Sequence, residues 1–343
     1  MDRLNPFLGN IDELFKTSEG EKREYVHPAL KNLGSVSLVL IREVIAPVVF
    51  RNSEEEITDI EINFGTESDA YVRAVPNKFK YPERGRGLQI LRLFKAGGNM
   101  PQNKTILTVK MKPSQGFDLN SLVFGDSTVW NNNVLPVKAA VNYSDALSVL
   151  PKHLCVDSSF HHRGFEDGTL FDPESKKNSD NLFNRHFVKP GTLLVQVVST
   201  RGRLLPRIGL DHLLLSIGIA GTYGGQTSVT GTNIRTHIAG IYGGHFEQPQ
   251  TSPYQIVQSL GNQTTEPVFQ NVEPLTTHLH NSLSKVHEVS MTAKEVHDYQ
   301  DKLIQRFESD FASLQADYQQ AAAIVATFFD KWFGGEKPAK KGK

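Results

Sequence analysis

The sequence predicts an α+β fold, because strand-like and helical runs follow one another without the regular alternation of a doubly wound parallel sheet. Three observations support this: an apolar run at 36–50, further strand-like runs at 192–199 and 234–242, and a helical apolar stripe near the C-terminus. The chain has 343 residues, of which 38% are hydrophobic, so it can bury a large core. We expect residues 1–343 to form one elaborated domain.

The strands are predicted from their composition. The run at 36–50 is nearly continuous in Val, Leu and Ile, which indicates a buried strand pair or one long bent strand. Pro47 within it indicates a bulge or an edge position. The segment at 139–149 reads as a strand or a short helix, and residues 113–138 read as irregular.

Two helices are predicted from apolar spacing. Residues 209–219 have helical periodicity, and Gly221 offers a C-terminal stop signal. Near the C-terminus, Thr292 and Glu295 form a capping box, and apolar residues then recur every three or four positions. We therefore predict one helix over 290–333, followed by a flexible basic tail at 334–343.

Bulk composition places few limits on function. The chain has 37 Lys plus Arg and 37 Asp plus Glu, so its net charge indicates no partner. Its single cysteine, Cys155, rules out an intrachain disulfide and favours a reducing compartment. The N-terminus lacks the apolar segment of a secretory signal, and no apolar run reaches the roughly 18 residues that span a bilayer. We expect a cytoplasmic protein with no membrane partner.

The distribution of charge is uneven. Residues 73–112 contain ten Lys and Arg residues and a single acidic residue, Glu83. Aromatic residues are interleaved with these cations, a combination that suits phosphates and unpaired bases. Glycines at 85, 87, 97 and 98 predict a loop-rich segment. A solvated face, or pairing with the acidic run at 54–69, remains open as an alternative.

A second candidate is the Gly- and Thr-rich run at 221–235. Glycines allow backbone N–H groups to approach an anion, and hydroxyls and Arg235 add donors. No Lys precedes Ser or Thr as a P-loop requires, so nucleotide hydrolysis is not predicted. The alternative is an ordinary tight turn.

Metal and catalytic sites are weakly indicated. Cys155 and the histidines at 153, 161 and 162 do not have the spacing of a closed zinc site. Acidic residues at 166, 167, 172 and 174 are more typical of turns than of a nuclease centre. We assign no catalytic residue, no metal site and no cofactor. A metal-dependent ribonuclease using Asp59 or the pair at 166–167 is the enzymatic rival.

The order of three segments carries a resemblance to a known family. They are SLVLIREVIAPVVFRN at 37–52, the polar segment at 156–194 that ends in HFVKPGTLL, and GTYGGQTSVTGTNIRTHIAGI at 221–241. This chain resembles CRISPR-associated RAMP-type backbone proteins, most closely the backbone subunit of type I-D effector complexes. The resemblance covers about residues 35–245.

The resemblance implies a fold and a set of parts. The fold would be a palm like the RNA-recognition motif (ferredoxin-like), with long insertions, a thumb hairpin and a C-terminal helix. The parts would be the palm at 35–65, 139–155 and 191–245, a basic insertion at 66–135, and the thumb at 156–190. Copies of the chain would then polymerise head-to-tail along the guide RNA (crRNA), together with other effector subunits, and present it to target DNA or RNA.

The resemblance also implies residue roles. Expected contacts with the guide are Arg42, Tyr223, Gly224, Gly225, Thr227, Ser228, Asn233 and Arg235 in the palm, and Phe160, His161, His162 and Arg163 in the thumb. Expected contacts with the target strand are Lys78, Lys80, Arg84, Arg86 and Arg92. The non-enzymatic rival is an assembly protein whose basic stretch pairs with an acidic surface of a partner.

Overall fold

A computed structural model describes the fold over most of the chain. It describes residues 1–11, 32–50, 57–97, 106–107, 111–130, 133–162, 171–172, 174, 176–178, 182–224 and 231–334. The strands are β1 (Ser35–Val44), β2 (Asp59–Asn63), β3 (Ser68–Ala74), β4 (Ile106–Leu107), β5 (Asp126–Trp130), β6 (Asn133–Val137), β7 (Val141–Tyr143), β8 (Ala146–Pro151), β9 (Val156–His162), β10 (Phe171–Asp172), β11 (Lys177–Asn178), β12 (Leu182–Val188), β13 (Leu193–Thr200), β14 (Ile234–Gly244) and β15 (Val289–Thr292). The helices are α1 (Asn77–Leu93), α2 (Leu119–Phe124), α3 (Lys152–Cys155), α4 (Arg207–Gly218), α5 (Pro253–Leu260), α6 (Val272–Leu283), α7 (Ala293–Ser309) and α8 (Phe311–Gly334).

The centre of the molecule is an antiparallel sheet with the strand order β14-β1-β13-β8. Along the chain these strands and two helices occur in the order β1, α1, β8, β13, α4, β14. This is the connectivity and strand order of a ferredoxin-like or RNA-recognition-motif-like fold. The predicted α+β class and palm are therefore confirmed. The sheet is extended by β3 and β2 beside β8, and by β15 beside β14.

Helices cover both faces of this sheet. Because side chains alternate along a strand, Leu38 and Leu40 of β1 join the core that contains α1 and α4, whereas Val39 and Ile41 face the opposite way. On that opposite side α5 and α6 contribute the apolar residues Ile256, Leu260, Leu275, Leu279 and Leu283. These two helices were not predicted from the sequence. They cover the sheet face on which an isolated RNA-recognition motif stacks its bases.

The basic stretch contains a helix where loops were expected. Helix α1 includes Pro82, Gly85 and Gly87, and in spite of them it buries five other residues. A Cβ atom on Gly87 would lie 2.7 Å from His212 Nε2 and would also collide with Asn120. Gly87 therefore allows α1 to pack closely on α4 and α2. Its role is this close approach and not flexibility of the chain. Since α1 is the first helix of the palm, this part of 66–135 is not an insertion.

His212 of α4 connects the elements around Gly87. Its Nε2 lies 3.0 Å from Asn120 Oδ1 and its Nδ1 lies 3.3 Å from the hydroxyl of Tyr318 in α8. Because an amide oxygen only accepts, Nε2 carries the proton and donates to Asn120. Burial lowers the pKa of His212 to about 3, so the ring is neutral.

Two further predictions need correction. Residues 113–138 are not irregular, because they contain α2 and the strand pair β5–β6. The C-terminal helix is two helices, since Asp310 leaves helical geometry with φ −130° and ψ 46°. The capping box is confirmed: Thr292 accepts a hydrogen bond from the Glu295 N–H, and Glu295 accepts one from the Thr292 N–H.

The predicted thumb segment contains a two-stranded sheet of its own. Strands β9 and β12 pair antiparallel, with Phe160 opposite Asn184 and Val156 opposite Val188. This hairpin is inserted between the palm strands β8 and β13 and pairs only with itself among the named strands of the described residues. In the described part of the chain, no helix combines the length and the apolar character that crossing a membrane requires.

Candidate nucleic-acid interface

The ends of the Gly- and Thr-rich run are held together by one asparagine. The Tyr223 N–H donates to Asn233 Oδ1 at 2.9 Å, and Asn233 Nδ2 donates to the Tyr223 carbonyl at 2.8 Å. Asn233 is fully buried and Tyr223 is 1% exposed, so neither side chain is available to RNA. Both were expected to contact the guide, and both instead fix the base of the loop.

The remaining residues of this run divide into two groups. Gly224 adopts φ +92°, a left-handed conformation that favours glycine, and it is partly exposed. Gly225, Thr227 and Ser228 lie outside the described residues. Their predicted contacts with the guide stay predictions.

Arg42 requires the clearest correction. It was expected to contact the guide from the first palm strand, but its side chain is 0% exposed and points toward α1. Its Nη1 donates to Glu83 Oε1 at 2.6 Å, and Nε and Nη2 donate to Gln196 Oε1 at 3.1 and 2.8 Å. The guanidinium also lies 4.6 Å from the centre of the Phe79 ring. The cation is therefore part of the core and cannot reach a phosphate.

Glu83 is the centre of this buried network. The hydroxyls of Tyr143 and Tyr223 donate to its carboxylate at 2.5 and 3.0 Å. Burial acts to lower the pKa of Arg42, but Glu83 and the two tyrosines together outweigh burial, so that the pKa is raised. Burial, with Glu83 adding to it, raises the pKa of both tyrosines well above the usual value. The network thus holds one fixed ion pair and attaches the start of the loop, through Tyr223, to α1.

Arg235 is the exposed cation at the base of the loop. Its side chain is 61% exposed, and its nearest anion is Glu43 at 3.4 Å on the neighbouring strand β1. Glu43 also lies 2.8 Å from His237 Nε2. Arg235 and His237 border a groove of about 900 Å³ between β14, the end of α4, and α7. Because surface ion pairs of this kind are weak, the Arg235 guanidinium remains available to a phosphate.

The structure places all five predicted target-strand cations on α1. Lys80 and Arg84 lie one turn apart and are partly buried, whereas Arg92 is exposed near the end of the helix. Arg84 forms an ion pair with Asp126 at 2.7 Å, and Arg86 donates to Gln89 at 2.9 Å. Lys78 is partly exposed in the first turn. The helix therefore carries a cationic surface rather than a flexible basic loop.

The thumb residues are placed only in part. Phe160, His161 and His162 lie on β9, at the end farthest from the palm. The orientation of their side chains is outside the description, and Arg163 lies outside the described residues. Their contacts with the guide stay predictions.

The candidate catalytic acid is already paired. Asp59 lies on β2, and its carboxylate forms an ion pair with Lys152. The pair at 166–167 lies outside the described residues. Among the residues that are described, no group of three or more His, Cys, Asp or Glu side chains could hold a metal ion. Cys155 is a buried free thiol, and burial raises its pKa to about 11.

One cation near this surface was missed. Arg201 directly follows β13, where its N–H bonds to the Ala140 carbonyl and its Nη2 donates to Asn142 at 3.0 Å. A lone arginine after a strand carries no distinguishing signal in the sequence. Only the fold brings it toward α1.

Comparison with known proteins connects this geometry to a family. A family model described as Csc2 Crispr matches residues 26–328. The crystal structure of Csc2 from Thermofilum pendens is similar at 14% identity, with a TM-score of 0.62 over 98% of this chain and 97% of that one. A chain from a structure titled CRISPR RNA-guided surveillance complex matches at 10% identity, with a TM-score of 0.46 over 77% of this chain and 99% of that one. A search of curated proteins found no match.

Proposed function

The chain belongs to the Csc2 CRISPR family, and on that premise we propose that it is a guide-RNA-binding backbone subunit of a type I-D CRISPR effector complex. The observation that carries this proposal is the ferredoxin-like palm with a separate hairpin, β9–β12, inserted between its strands β8 and β13. The similarity to the Thermofilum pendens protein over nearly the full length of both chains supports the fold.

In this function the chain positions RNA and does not read its sequence. Copies assemble head-to-tail along the guide, and a heterologous contact of this kind generates an open helical filament. Each hairpin inserts between bases, with Phe160, His161 and His162 on its strand β9. Target sequence is then read by base pairing with the guide, while the protein recognises shape and backbone.

The guide contact is centred on Arg235. It is the exposed cation next to a loop whose base is fixed by Tyr223 and Asn233, so a phosphate there meets a preorganised donor. The cations of α1 form a second surface, which we assign to phosphates of the target strand. Both surfaces act by charge and position, and we assign no catalytic step to the chain.

The proposal is tested by RNA binding across a salt series. Fluorescence anisotropy of the purified full chain with a labelled single-stranded RNA measures affinity at each salt concentration. We expect Arg235→Gln to weaken binding roughly three- to tenfold and to reduce the salt slope by about one phosphate contact. Lys302→Gln is the matched control, because Lys302 is exposed on α7.

Two results would count against the proposal. One is an absence of salt-sensitive RNA binding by the chain. The other is an assembled complex, purified with this subunit, that carries no nuclease-protected RNA of fixed length. The subtype is tested separately, by identifying the subunits that copurify with the chain.

A further inference from the structure

Three cations meet where α1 passes the end of β13. Lys80 and Arg84 occupy successive turns of α1, and Arg201 follows the last residue of β13. Helix α2 connects the two elements: a side chain of α2 donates to the Arg84 carbonyl, and the Leu122 carbonyl of α2 accepts from the Ala140 N–H, whose carbonyl accepts from the Arg201 N–H. Burial lowers the pKa of Lys80, and the charges of Arg84 and Arg201 lower it further.

This cluster is poorly neutralised. Within the described part of the chain, Asp126 is the one carboxylate that pairs with any of the three cations, and it pairs with Arg84. The side-chain partner of Arg201 is the neutral amide of Asn142. Two positive charges thus remain uncompensated in a partly buried position, where a charge is costly.

The cluster also lacks hydrogen-bond acceptors. The Nε atoms of Arg84 and Arg201 are both buried, and neither has a partner among the described residues. Buried polar groups are satisfied in the great majority of cases, so each such donor requires an explanation. An oxyanion supplies what is missing, namely negative charge and several acceptor oxygens. A small shift of either guanidinium would turn its Nε toward such a group.

The cluster is remote from Arg235. Ser37 of β1 lies opposite Ser199, two residues before Arg201, whereas Glu43 of β1 lies opposite Arg235. Six residues of extended strand separate these two positions, which corresponds to about 20 Å. One phosphate cannot contact both.

We propose that Lys80, Arg84 and Arg201 form a second binding site, for a backbone phosphate of nucleic acid, separate from the contact at Arg235. This inference rests on the proposed function and adds Arg201 to it. The guanidinium groups recognise the phosphate oxygens, and the ammonium group adds a point charge. Guide RNA and a target strand carry the same phosphate chemistry, so the assignment of the α1 cations to the target strand is tested together with this site.

The test compares single charge removals in the full chain. Arg201→Gln and Lys80→Gln are measured by anisotropy with single-stranded RNA and single-stranded DNA, and Lys302→Gln serves as the control. We expect each cluster variant to lose roughly three- to tenfold in affinity and about one unit of salt slope. Circular dichroism and thermal unfolding verify that both variants are folded, and Lys80→Gln carries the test if Arg201→Gln is not.

A double variant separates the two sites. If they are independent, the losses from Arg201→Gln and Arg235→Gln multiply. The source of the phosphate is found by repeating the measurement with the guide-loaded complex. A loss in RNA binding by the chain alone indicates the guide, and a loss confined to target capture indicates the target strand.

Failure of this inference is distinguishable from failure of the proposed function. If Arg235→Gln weakens RNA binding while both cluster variants match Lys302→Gln in the chain and in the complex, the second site does not exist and the function stands. If the unmodified chain binds no RNA, the function itself fails.

Discussion

Two adjacent residues of α1, Glu83 and Arg84, lie in opposite environments. Glu83 faces the interior, is 0% exposed and accepts hydrogen bonds from Arg42, Tyr143 and Tyr223. Arg84 belongs to a cluster of three cations in which, among the described residues, one carboxylate is paired, and it is paired with Arg84. In this buried network each charge has a partner, whereas in the cluster the described cations outnumber the described carboxylates. The comparison suggests that unmatched charge, rather than charge alone, marks a ligand site in this fold.

The interior half of this comparison is tested by Glu83→Gln. The substitution removes the carboxylate charge and leaves the Arg42 guanidinium uncompensated in a fully buried position. Breaking a buried pair from one side costs about 3–5 kcal/mol. We expect the free energy of unfolding, measured by urea denaturation, to fall by that amount.

A double variant is the control for that experiment. In Arg42→Met/Glu83→Leu both charges are absent, so no buried charge is left unpaired. We expect it to be more stable than Glu83→Gln, despite the lost hydrogen bonds of Tyr143 and Tyr223. A Glu83→Gln protein within 1 kcal/mol of the unmodified chain would show that the pair does not hold α1 in place.

Arg42 also shows where the sequence was insufficient. A cation in a strand of an RNA-binding family reads as a phosphate contact, and its true partner, Glu83, is 41 positions away. Apolar periodicity correctly predicted β1, β13, β14 and α4, since these signals are local. Burial of a polar side chain depends on which distant element packs over it. For the same reason α5 and α6, which cover the second sheet face, were not predicted.

The next largest change in the free energy of unfolding is expected at Gly87, one of the two glycines of α1. A Cβ on Gly87 would collide with Asn120 and lie 2.7 Å from His212 Nε2, two side chains held by hydrogen bonds. Overpacking of this kind destabilises a protein by about 1–3 kcal/mol. The higher helix propensity of alanine offsets about 1 kcal/mol of that loss. We expect Gly87→Ala to lower the free energy of unfolding.

Gly85 provides the matched control in the same helix. No atom lies within 4 Å of a Cβ at this position, so alanine adds helix propensity without a clash. We expect Gly85→Ala to stabilise the protein by about 0.5–1 kcal/mol. If both substitutions were stabilising, the close packing of α1 on α4 would be disproved.

These two glycines explain why a loop was predicted from the sequence where the structure has α1. Glycine needed for flexibility and glycine needed for close approach are identical in sequence, so 77–93 was read as loop. Pro82 also lies inside α1, although proline is unfavourable in a helix interior. The burial of Phe79, Ile90 and Leu91 on the palm core supplies the stabilisation that local propensity lacks.

The smallest expected effect tests the surface half of the comparison, because at Lys80 stability and binding should change in opposite directions. Lys80 and Arg84 are like charges at i and i+4 on one helix, an arrangement that destabilises a helix by about 0.2–0.5 kcal/mol. Lys80→Gln should therefore raise the free energy of unfolding slightly while it weakens nucleic-acid binding. Lys302→Gln, which removes a cation elsewhere, should change neither by a comparable amount.

The pH dependence of stability sharpens the same point. Since the pKa of Lys80 is lowered in the folded chain from its ordinary value of 10.5, the unfolded chain binds more protons as pH approaches that value from below. The free energy of unfolding of the unmodified protein should then gain from Lys80 as pH rises through this window, and Lys80→Gln should lack that gain. Suppose instead that Lys80→Gln is less stable than the unmodified protein and that the free energies of unfolding of the two proteins change equally with pH. Lys80 would then have an anionic partner within the chain. The cluster would then resemble the Arg42–Glu83 pair instead of an open phosphate site.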